Sequence, residues 1–124
     1  MRRSDQRDIV YQVVSSSCDH PNVETILHRS KELMPSINMA TVYRNLNVLV
    51  EQNKIIRLTL ATGDRFDKTI FPHPHFYCKC CGAVTDVDHN NVAEMVTSIE
   101  SKNFQIEKVD VMFTGICPNC KINI

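Results

Sequence analysis

The sequence lacks a long apolar segment, an excess of either charge, and a secretory signal. A transmembrane helix needs about 20 apolar residues in a row, and no stretch here approaches that length. Lys and Arg number 14, as do Asp and Glu, so the formal net charge is zero. A balanced charge does not by itself predict a protein that binds nucleic acid. Nothing near the N-terminus resembles a secretory signal, and we therefore expect a reducing cytoplasm.

Length and charge distribution leave the partner class open. The chain has 124 residues, enough for one domain or two small ones, and it contains no internal repeat. Up to Arg57 there are eight Lys and Arg against six acidic residues, and afterwards six against eight. This asymmetry is small. A basic surface for DNA would have to come from the placement of these residues rather than from their number.

Four of the six cysteines form two short pairs, Cys78-x-x-Cys81 and Cys117-x-x-Cys120. One tight turn can aim both sulfurs of such a pair inward, and four thiolates in two pairs are typical of tetrahedral zinc. Two disulfides or a redox Cys-x-x-Cys motif could use the same spacing, but a reducing cytoplasm favours structural zinc. The other two cysteines receive no role. Cys80 lies inside the first pair, and we expect Cys18 to be a small buried apolar residue.

A second set of possible metal ligands surrounds the first cysteine pair. It combines imidazoles and carboxylates, which suit iron(II), manganese(II) or zinc rather than copper(I) or an iron-sulfur cluster. His-x-His is a weak signal, because a lone surface histidine usually binds nothing and Pro72 and Pro74 can simply mark a loop. The residues alone therefore do not decide whether a second metal site exists. The candidates are His20, far upstream, with Asp67, His73, His75 and Asp86.

Apolar periodicity predicts three short helices in the first half. One is capped by Ser4 and ends in the serine run 15–17, a second opens at Pro21-Asn22 and stops before Pro35, and a third begins after Asn38. The apolar residues at helical spacing are Ile9, Val10, Val13 and Val14, then Val23, Ile26, Leu27 and Met34, then Met39, Val42, Leu46, Leu49 and Val50.

Apolar residues at positions 55, 56, 58 and 60, a turn over 61–64, and then Arg65 and Phe66 predict a β-hairpin. Three helices and a hairpin describe a winged helix-turn-helix, in which the third helix enters the major groove. Its exposed face could bond phosphates or base edges, with Arg44 as the best single candidate. A solvated polar face on a three-helix core is the alternative. The residues predicted on this face are Thr41, Tyr43, Arg44, Asn45 and Asn47.

In the second half, the sequence pattern predicts strands over His75 to Cys78, Ala83 to Val87 and Phe104 to Ile116. It also predicts a helix from about Val92 to Ser101. The helix would bury one face, formed by Val92, Met95, Val96 and Ile99. Because a unit this short is poorly stabilised by its own core, we expect zinc and pairing with a second copy of the chain to stabilise it. We thus predict an α+β protein, with a winged-helix DNA-binding domain over residues 1–69 and a small α/β dimerisation domain with structural zinc over residues 70–124.

Five motifs in register resemble the ferric uptake regulator (Fur) family of bacterial metal-dependent repressors. The segment from Met39 to Leu46 is similar to the family's recognition helix. Arg65-Phe66-Asp67, His73-x-His75, Cys78-x-x-Cys81-Gly82 and Cys117-x-x-Cys120 follow in the family's order. The resemblance implies a homodimer that represses at palindromic operator DNA and is not an enzyme. Family members usually have a further helix before the segment from Ser4, and here only Arg2 and Arg3 are expected to add DNA contacts there.

Within the family, His20, Asp67, His73, His75 and Asp86 resemble the regulatory site of the peroxide-sensing branch, called PerR. The resemblance implies that iron(II) or manganese(II) draws these residues together and so favours the form that binds the operator. It also implies that, with iron(II), hydrogen peroxide oxidises His20 or His73 to 2-oxo-histidine and DNA is released. Manganese(II) would repress without that chemistry.

Two other functions stay open. Repressors of iron, zinc or manganese uptake use the same scaffold, but they usually have Glu where this chain has Asp86, and the aspartates therefore favour peroxide sensing by resemblance. From another class, a small non-haem iron enzyme could use two histidines and a carboxylate. No further acid, base or cofactor motif accompanies these residues. An enzymatic function would also not explain the helical first half of the chain.

Overall fold

The computed structural model describes residues 3–70, 73–87 and 91–122, apart from the side chains of residues 3 and 4. The chain divides into two compact units, with the boundary after Ile70. Within the described residues, the first unit contains three helices and a two-stranded hairpin, and the second contains a three-stranded sheet and two helices. The predicted α+β class is confirmed. None of the helices in these ranges has the length and apolar content needed to cross a bilayer.

The helices of the first unit are α1 (Arg3–Ser16), α2 (Val23–Leu33) and α3 (Met39–Glu51). The side-chain oxygens of Asn22 and Asn38 accept hydrogen bonds from the backbone N–H groups of Thr25 and Thr41, at 2.8 and 2.9 Å. These N-caps satisfy backbone donors that a helix leaves unpaired, which explains where α2 and α3 begin. The predicted cap at Ser4 is wrong, because α1 already includes Arg3.

The three helices enclose one hydrophobic core, to which the hairpin adds Phe66. Its members are the apolar residues that recur at helical spacing, together with two from the connections and one before the hairpin. The buried cluster consists of Val10, Val13, Val14, Ile26, Met34, Ile37, Val42, Leu46, Leu49, Ile55 and Phe66. This core holds the first unit together independently of any metal.

The hairpin consists of β1 (Ile56–Leu60) and β2 (Gly63–Asp67), paired antiparallel with Leu60 opposite Gly63. Two residues form the turn, and Gly63 has a φ of 123°, a backbone conformation that L side chains rarely adopt. Glycine is therefore required where the chain reverses. The register places Asp67 opposite Ile56, at the end of the hairpin away from its turn.

The sheet of the second unit has β3 (His75–Cys78) at its centre, with β4 (Val84–Asp86) antiparallel on one side and β5 (Met112–Gly115) parallel on the other. The predicted strand from Phe104 to Ile116 is wrong in extent, since strand pairing covers only its last third. Helices α4 (Asn91–Glu100) and α5 (Pro118–Ile122) complete the unit. The sequence did not predict α5, which begins with proline at the first helical position, where proline is favoured.

The predicted buried face of α4 is confirmed only in part within this chain. Val92 is buried and Val96 is half-buried, but Met95 is 58% exposed and Ile99 41%. Phe104 and Phe113 of the same unit are exposed as well. Among the described residues, this unit therefore buries little apolar surface of its own.

Candidate metal sites and DNA-binding surface

Four cysteines of the second unit bring their sulfurs together. The Sγ atoms of Cys78, Cys81, Cys117 and Cys120 all lie within 4.8 Å of one another. Cys78 is buried at the end of β3, and Cys120 lies within α5. The predicted set of four is thus assembled from a strand end, a turn and a short helix.

Backbone hydrogen bonds fix the two cysteine-bearing turns. The Gly82 N–H donates to the Cys78 carbonyl at 2.8 Å, and Gly82 has a φ of 75°, the left-handed region that favours glycine. The Lys79 N–H donates to the Gly115 carbonyl at 2.9 Å, which ties the first turn to β5. On the other side, the Lys121 N–H donates to the Cys117 carbonyl at 2.9 Å. Both turns therefore hold their sulfurs in place through the main chain.

The electrostatics around these sulfurs favour a thiolate at Cys78. The backbone N–H of Cys117 donates to Cys78 Sγ at 3.4 Å, and with further N–H donors it lowers the pKa of that thiol to about 6. The neighbouring sulfurs of Cys117 and Cys78 raise the pKa of Cys120 instead. One negative charge is stabilised, whereas additional thiolates in the cluster need a cation.

This donor set fits structural zinc. All six cysteines are thiols, and Zn²⁺ prefers four thiolates at close range, which its own charge keeps deprotonated. Cys80 is exposed and lies outside the four-sulfur cluster. The expectation that Cys18 is buried is wrong, because its thiol is exposed after the end of α1, 3.7 Å from Lys68 Nζ.

In the first unit, His20 and Asp67 form a buried pair. Their side chains are 5% and 4% exposed, and His20 Nε2 lies 3.3 Å from Asp67 Oδ2. The other carboxylate oxygen, Oδ1, accepts a hydrogen bond from the Thr69 N–H at 2.9 Å. The carboxylate is thereby oriented, with one oxygen on the main chain and the other on the imidazole.

The segment that carries His20 is attached to β2. The Phe66 N–H donates to the Pro21 carbonyl at 3.0 Å, and Arg65 Nη1 donates to the His20 carbonyl at 3.3 Å. His20 has a φ of 51°, which costs a non-glycine residue about 1–2 kcal/mol. Such a conformation persists only where surrounding contacts enforce it, and here it places the imidazole beside Asp67.

In the second unit, His73, His75 and Asp86 form a cluster of possible ligands. The strand register places His75 on β3 directly opposite Asp86 on β4. Asp86 Oδ1 lies 3.2 Å from His75 Nε2 and 2.9 Å from His73 Nε2, and the two imidazole rings are 4.2 Å apart at their centroids. Two nitrogens thus meet at one carboxylate oxygen.

Both clusters offer imidazole nitrogen and carboxylate oxygen, the donors that suit iron(II) or manganese(II). All five predicted residues therefore lie in such clusters, two in the first unit and three in the second. The first cluster lies at the end of the hairpin away from its turn, and the second lies where β3 begins and β4 ends. The chemistry of the donors fits a divalent regulatory metal.

The exposed face of α3 differs from the predicted one. Tyr43 is 46% exposed and Arg44 is exposed, as predicted. Thr41 and Asn45, however, are buried, at 7% and 2% exposure, and Asn45 Nδ2 donates to the Thr41 carbonyl at 2.8 Å. The prediction that Thr41 and Asn45 face solvent is therefore wrong. Arg2 lies outside the described residues, and the side chain of Arg3 is not described.

Arg57 on β1 is a residue that sequence reasoning missed. Its guanidinium donates to Asn47 Oδ1 on α3, lies 3.4 Å from Asp64 on β2, and covers the Phe66 ring at 5.5 Å. Asn47, predicted to contact DNA, is thus half-buried and bonded to the hairpin. The strand pattern did indicate an unusual residue, since the charged Arg57 interrupts the apolar residues 55, 56, 58 and 60.

Comparison with known proteins shows relatives along nearly the whole chain. The model of the Ferric uptake regulator family matches residues 1–114. Ferric uptake regulation protein 2 of Mycolicibacterium fortuitum is 28% identical over 127 residues, which cover 98% of this chain and 87% of that protein. Peroxide-responsive repressor PerR of Staphylococcus epidermidis is 27% identical over an alignment of 128 residues. The alignment covers 98% of this chain and 82% of that protein.

The fold is similar to that of solved structures. The crystal structure of the Campylobacter jejuni peroxide stress regulator is 27% identical and gives a TM-score of 0.82, covering 95% of this chain and 90% of that one. Family match, relatives and fold agree with the two donor chemistries described above. The chain belongs to the ferric uptake regulator family of metal-responsive repressors.

Proposed function

We propose that this protein is a peroxide-sensing repressor in the cytoplasm, in which one regulatory iron(II) or manganese(II) ion binds to five residues. The ligands in this proposal are His20, Asp67, His73, His75 and Asp86. Because two come from the first unit and three from the second, binding of a single ion restrains the two units together. A restrained form that binds DNA better than the unrestrained form makes the metal a corepressor.

The observation that carries the proposal is the composition of the donor clusters. Three imidazoles and two carboxylates would offer iron(II) five nitrogen and oxygen donors, a set that suits this ion. Aspartate supplies the carboxylate in both clusters, and the relatives named for peroxide response are similar to this chain over almost all of its length. The aspartates favour peroxide sensing by resemblance, whereas the relatives support the family as a whole.

When bound, iron(II) would promote cleavage of the O–O bond of hydrogen peroxide, which manganese(II) does not readily do. One peroxide oxygen would be added to an imidazole carbon, the other would leave as water, and the ring would supply the two electrons. The protein's own contribution is to hold imidazoles next to the reaction. His20 is fixed by its backbone contacts with β2, and His73 by its contact with Asp86. Addition of one oxygen atom to either ring changes the donor nitrogen and weakens its binding to the metal. Loss of one ligand then releases the restraint, and with it the DNA.

The protein is further proposed to act as a homodimer on palindromic operator DNA, with residues 1–69 binding DNA and residues 70–124 forming the dimer. The support is the apolar surface that the second unit leaves exposed. A stable unit covers such surface, and a second copy is the expected cover. The exposed residues are Met95, Ile99, Phe104, Met112 and Phe113.

A repressor of metal uptake is the second candidate. The similarity to Ferric uptake regulation protein 2 supports it as directly as the PerR relatives support peroxide sensing. Both candidates share metal-dependent DNA binding. They differ in whether peroxide oxidises a histidine of the iron-loaded protein.

DNA binding is tested by selecting an operator from random duplex DNA with the manganese-loaded protein. We expect tight binding with manganese(II) and a loss of binding when the regulatory metal is withheld while zinc is kept. Arg44→Ala should weaken binding by about 1–3 kcal/mol, since one base or phosphate contact of α3 is lost. Lys31→Ala removes an exposed cation from α2 and serves as the control. Equal binding with and without manganese(II), measured by fluorescence anisotropy, would contradict the proposed function.

A further inference from the structure

Arg29 on α2 contacts two residues of the loop between α1 and α2. Its Nη1 donates to Ser17 Oγ at 2.9 Å and to Asp19 Oδ1 at 3.0 Å, and its Nη2 donates to Asp19 Oδ2 at 2.7 Å. The planar guanidinium matches both carboxylate oxygens at once, a geometry that a lysine ammonium does not reproduce. Three hydrogen bonds from one side chain thus connect α2 to the loop between α1 and α2.

Further hydrogen bonds attach the same loop to α1 and to β2. Ser17 Oγ also donates to the Val13 carbonyl at 2.6 Å, which connects the guanidinium to the end of α1. One residue after Asp19 comes His20, whose carbonyl accepts from Arg65, followed by Pro21, whose carbonyl accepts from the Phe66 N–H. The loop is therefore held by α2 on one side and by β2 on the other.

An ion pair in this position gives little stability by itself. The Arg29 and Asp19 side chains are 37% and 57% exposed, and ion pairs this exposed stabilise a fold weakly. The contacts instead restrict the backbone immediately before His20, which adopts a φ of 51°. Without them, fewer contacts would enforce the energetically unfavourable conformation of His20.

We propose that Arg29 is a positioning residue for the regulatory metal. By clamping Asp19 and Ser17, it holds the loop so that the His20 imidazole is already beside Asp67 before metal binds. A ligand that is fixed in advance loses less conformational entropy on binding, so the clamp increases metal affinity. This inference rests on the proposed function, since it takes His20 and Asp67 to be ligands.

The sign of two substitutions separates this clamp from a simple charge effect. A cation close to a metal site repels the metal, so by charge alone Arg29→Gln would tighten manganese(II) binding and Asp19→Asn would weaken it. The clamp predicts that both substitutions weaken binding. Loss of an outer contact that orients a ligand typically lowers metal affinity by about 10-fold to 100-fold, and we expect about 10-fold.

The double variant tests whether both residues act through the same contact. Because either substitution breaks the clamp, Asp19→Asn combined with Arg29→Gln should weaken manganese(II) binding no more than one substitution alone. Arg29→Lys keeps the charge without the forked geometry, and we expect it to lose most of the effect. Lys31→Gln, which removes an exposed cation from the same helix, should leave the affinity unchanged.

The experiment measures manganese(II) affinity by electron paramagnetic resonance on zinc-loaded, full-length protein, and amide exchange on the same protein without manganese(II). We expect the Phe66 amide, which donates to Pro21, to exchange about 10-fold faster in Arg29→Gln, in step with the loss of affinity. Unchanged Phe66 exchange, or tighter manganese(II) binding in Arg29→Gln, would overturn the clamp.

Failure of the proposed function gives a different result. If the protein has no regulatory metal site, the wild-type protein itself would bind no manganese(II) in addition to its zinc. The Phe66 amide would still report whether Arg29 holds the loop. Wild-type binding combined with unchanged affinity in all the Arg29 and Asp19 variants would overturn the clamp and leave the proposed function intact.

Discussion

Replacing Cys117 with serine is expected to release the zinc and unfold the second unit, while the first unit stays folded. Structural zinc contributes about 10–16 kcal/mol in small zinc-binding peptides, which matches or exceeds the 5–15 kcal/mol net stability of a whole domain. Among its described residues, the second unit buries few apolar side chains, including Val84 and Val92, so it has little to replace that contribution. The core around Phe66 needs no metal.

The measurements are zinc content by mass spectrometry of the metal and thermal unfolding by circular dichroism. Cys80→Ser is the matched control, because Cys80 belongs to the same short segment but lies outside the four-sulfur cluster. This control should keep one zinc per chain and a wild-type melting curve. A Cys117→Ser protein with full zinc and a cooperative melt of both units would contradict the four-thiolate site.

Replacing His20 with alanine is expected to abolish the effect of manganese(II) on DNA binding while leaving zinc and fold intact. The imidazole is the nitrogen donor of the first unit's cluster, and without it the metal loses its hold on that unit. Coupling between two ligands typically changes affinity by about 5-fold to 150-fold, and in this variant the ratio of DNA affinities with and without manganese(II) should fall to about one.

The control is His28→Ala, since His28 lies exposed on α2, outside both clusters. A second check concerns the backbone, because alanine also has to adopt the φ of 51° found at position 20. The melting temperature of the manganese-free protein shows whether that strain matters. Full tightening of DNA binding by manganese(II) in His20→Ala would rule out His20 as a ligand.

Local signals in the sequence predicted most of the fold. Asn22 and Asn38 marked the starts of α2 and α3, and the structure shows their side chains capping those helices. The spacing of the two cysteine pairs predicted the four-sulfur cluster, because each pair needs only a tight turn to converge. In these cases each cap or cysteine turn is formed by a few neighbouring residues, although the pairing of β3 with β5 brings the two cysteine turns together.

The predictions failed where packing in the folded chain determines whether a side chain is buried or what it contacts. Thr41 and Asn45 are polar, and polarity suggested exposure, but their position on α3 turns them toward the core. The periodicity of α4 correctly identified an apolar face, but it could not show that this chain leaves Met95 and Ile99 exposed. Arg29 and Asp19 are ten residues apart and belong to no motif, so only the folded loop reveals that they meet.

The most direct test of peroxide sensing compares the iron-loaded and manganese-loaded proteins on the same operator. Each is measured before and after a stoichiometric pulse of hydrogen peroxide, with DNA binding and intact mass recorded on the same sample. Zinc content is checked in parallel, so that oxidation of the four-cysteine site is distinguished from oxidation of a histidine.

We expect release of DNA from the iron form alone, with one added oxygen atom on the peptide that contains His20 or His73. The manganese form should keep its DNA and its mass. Retention of DNA by both forms, with unmodified histidines, would contradict peroxide sensing and identify the protein as a repressor of metal uptake.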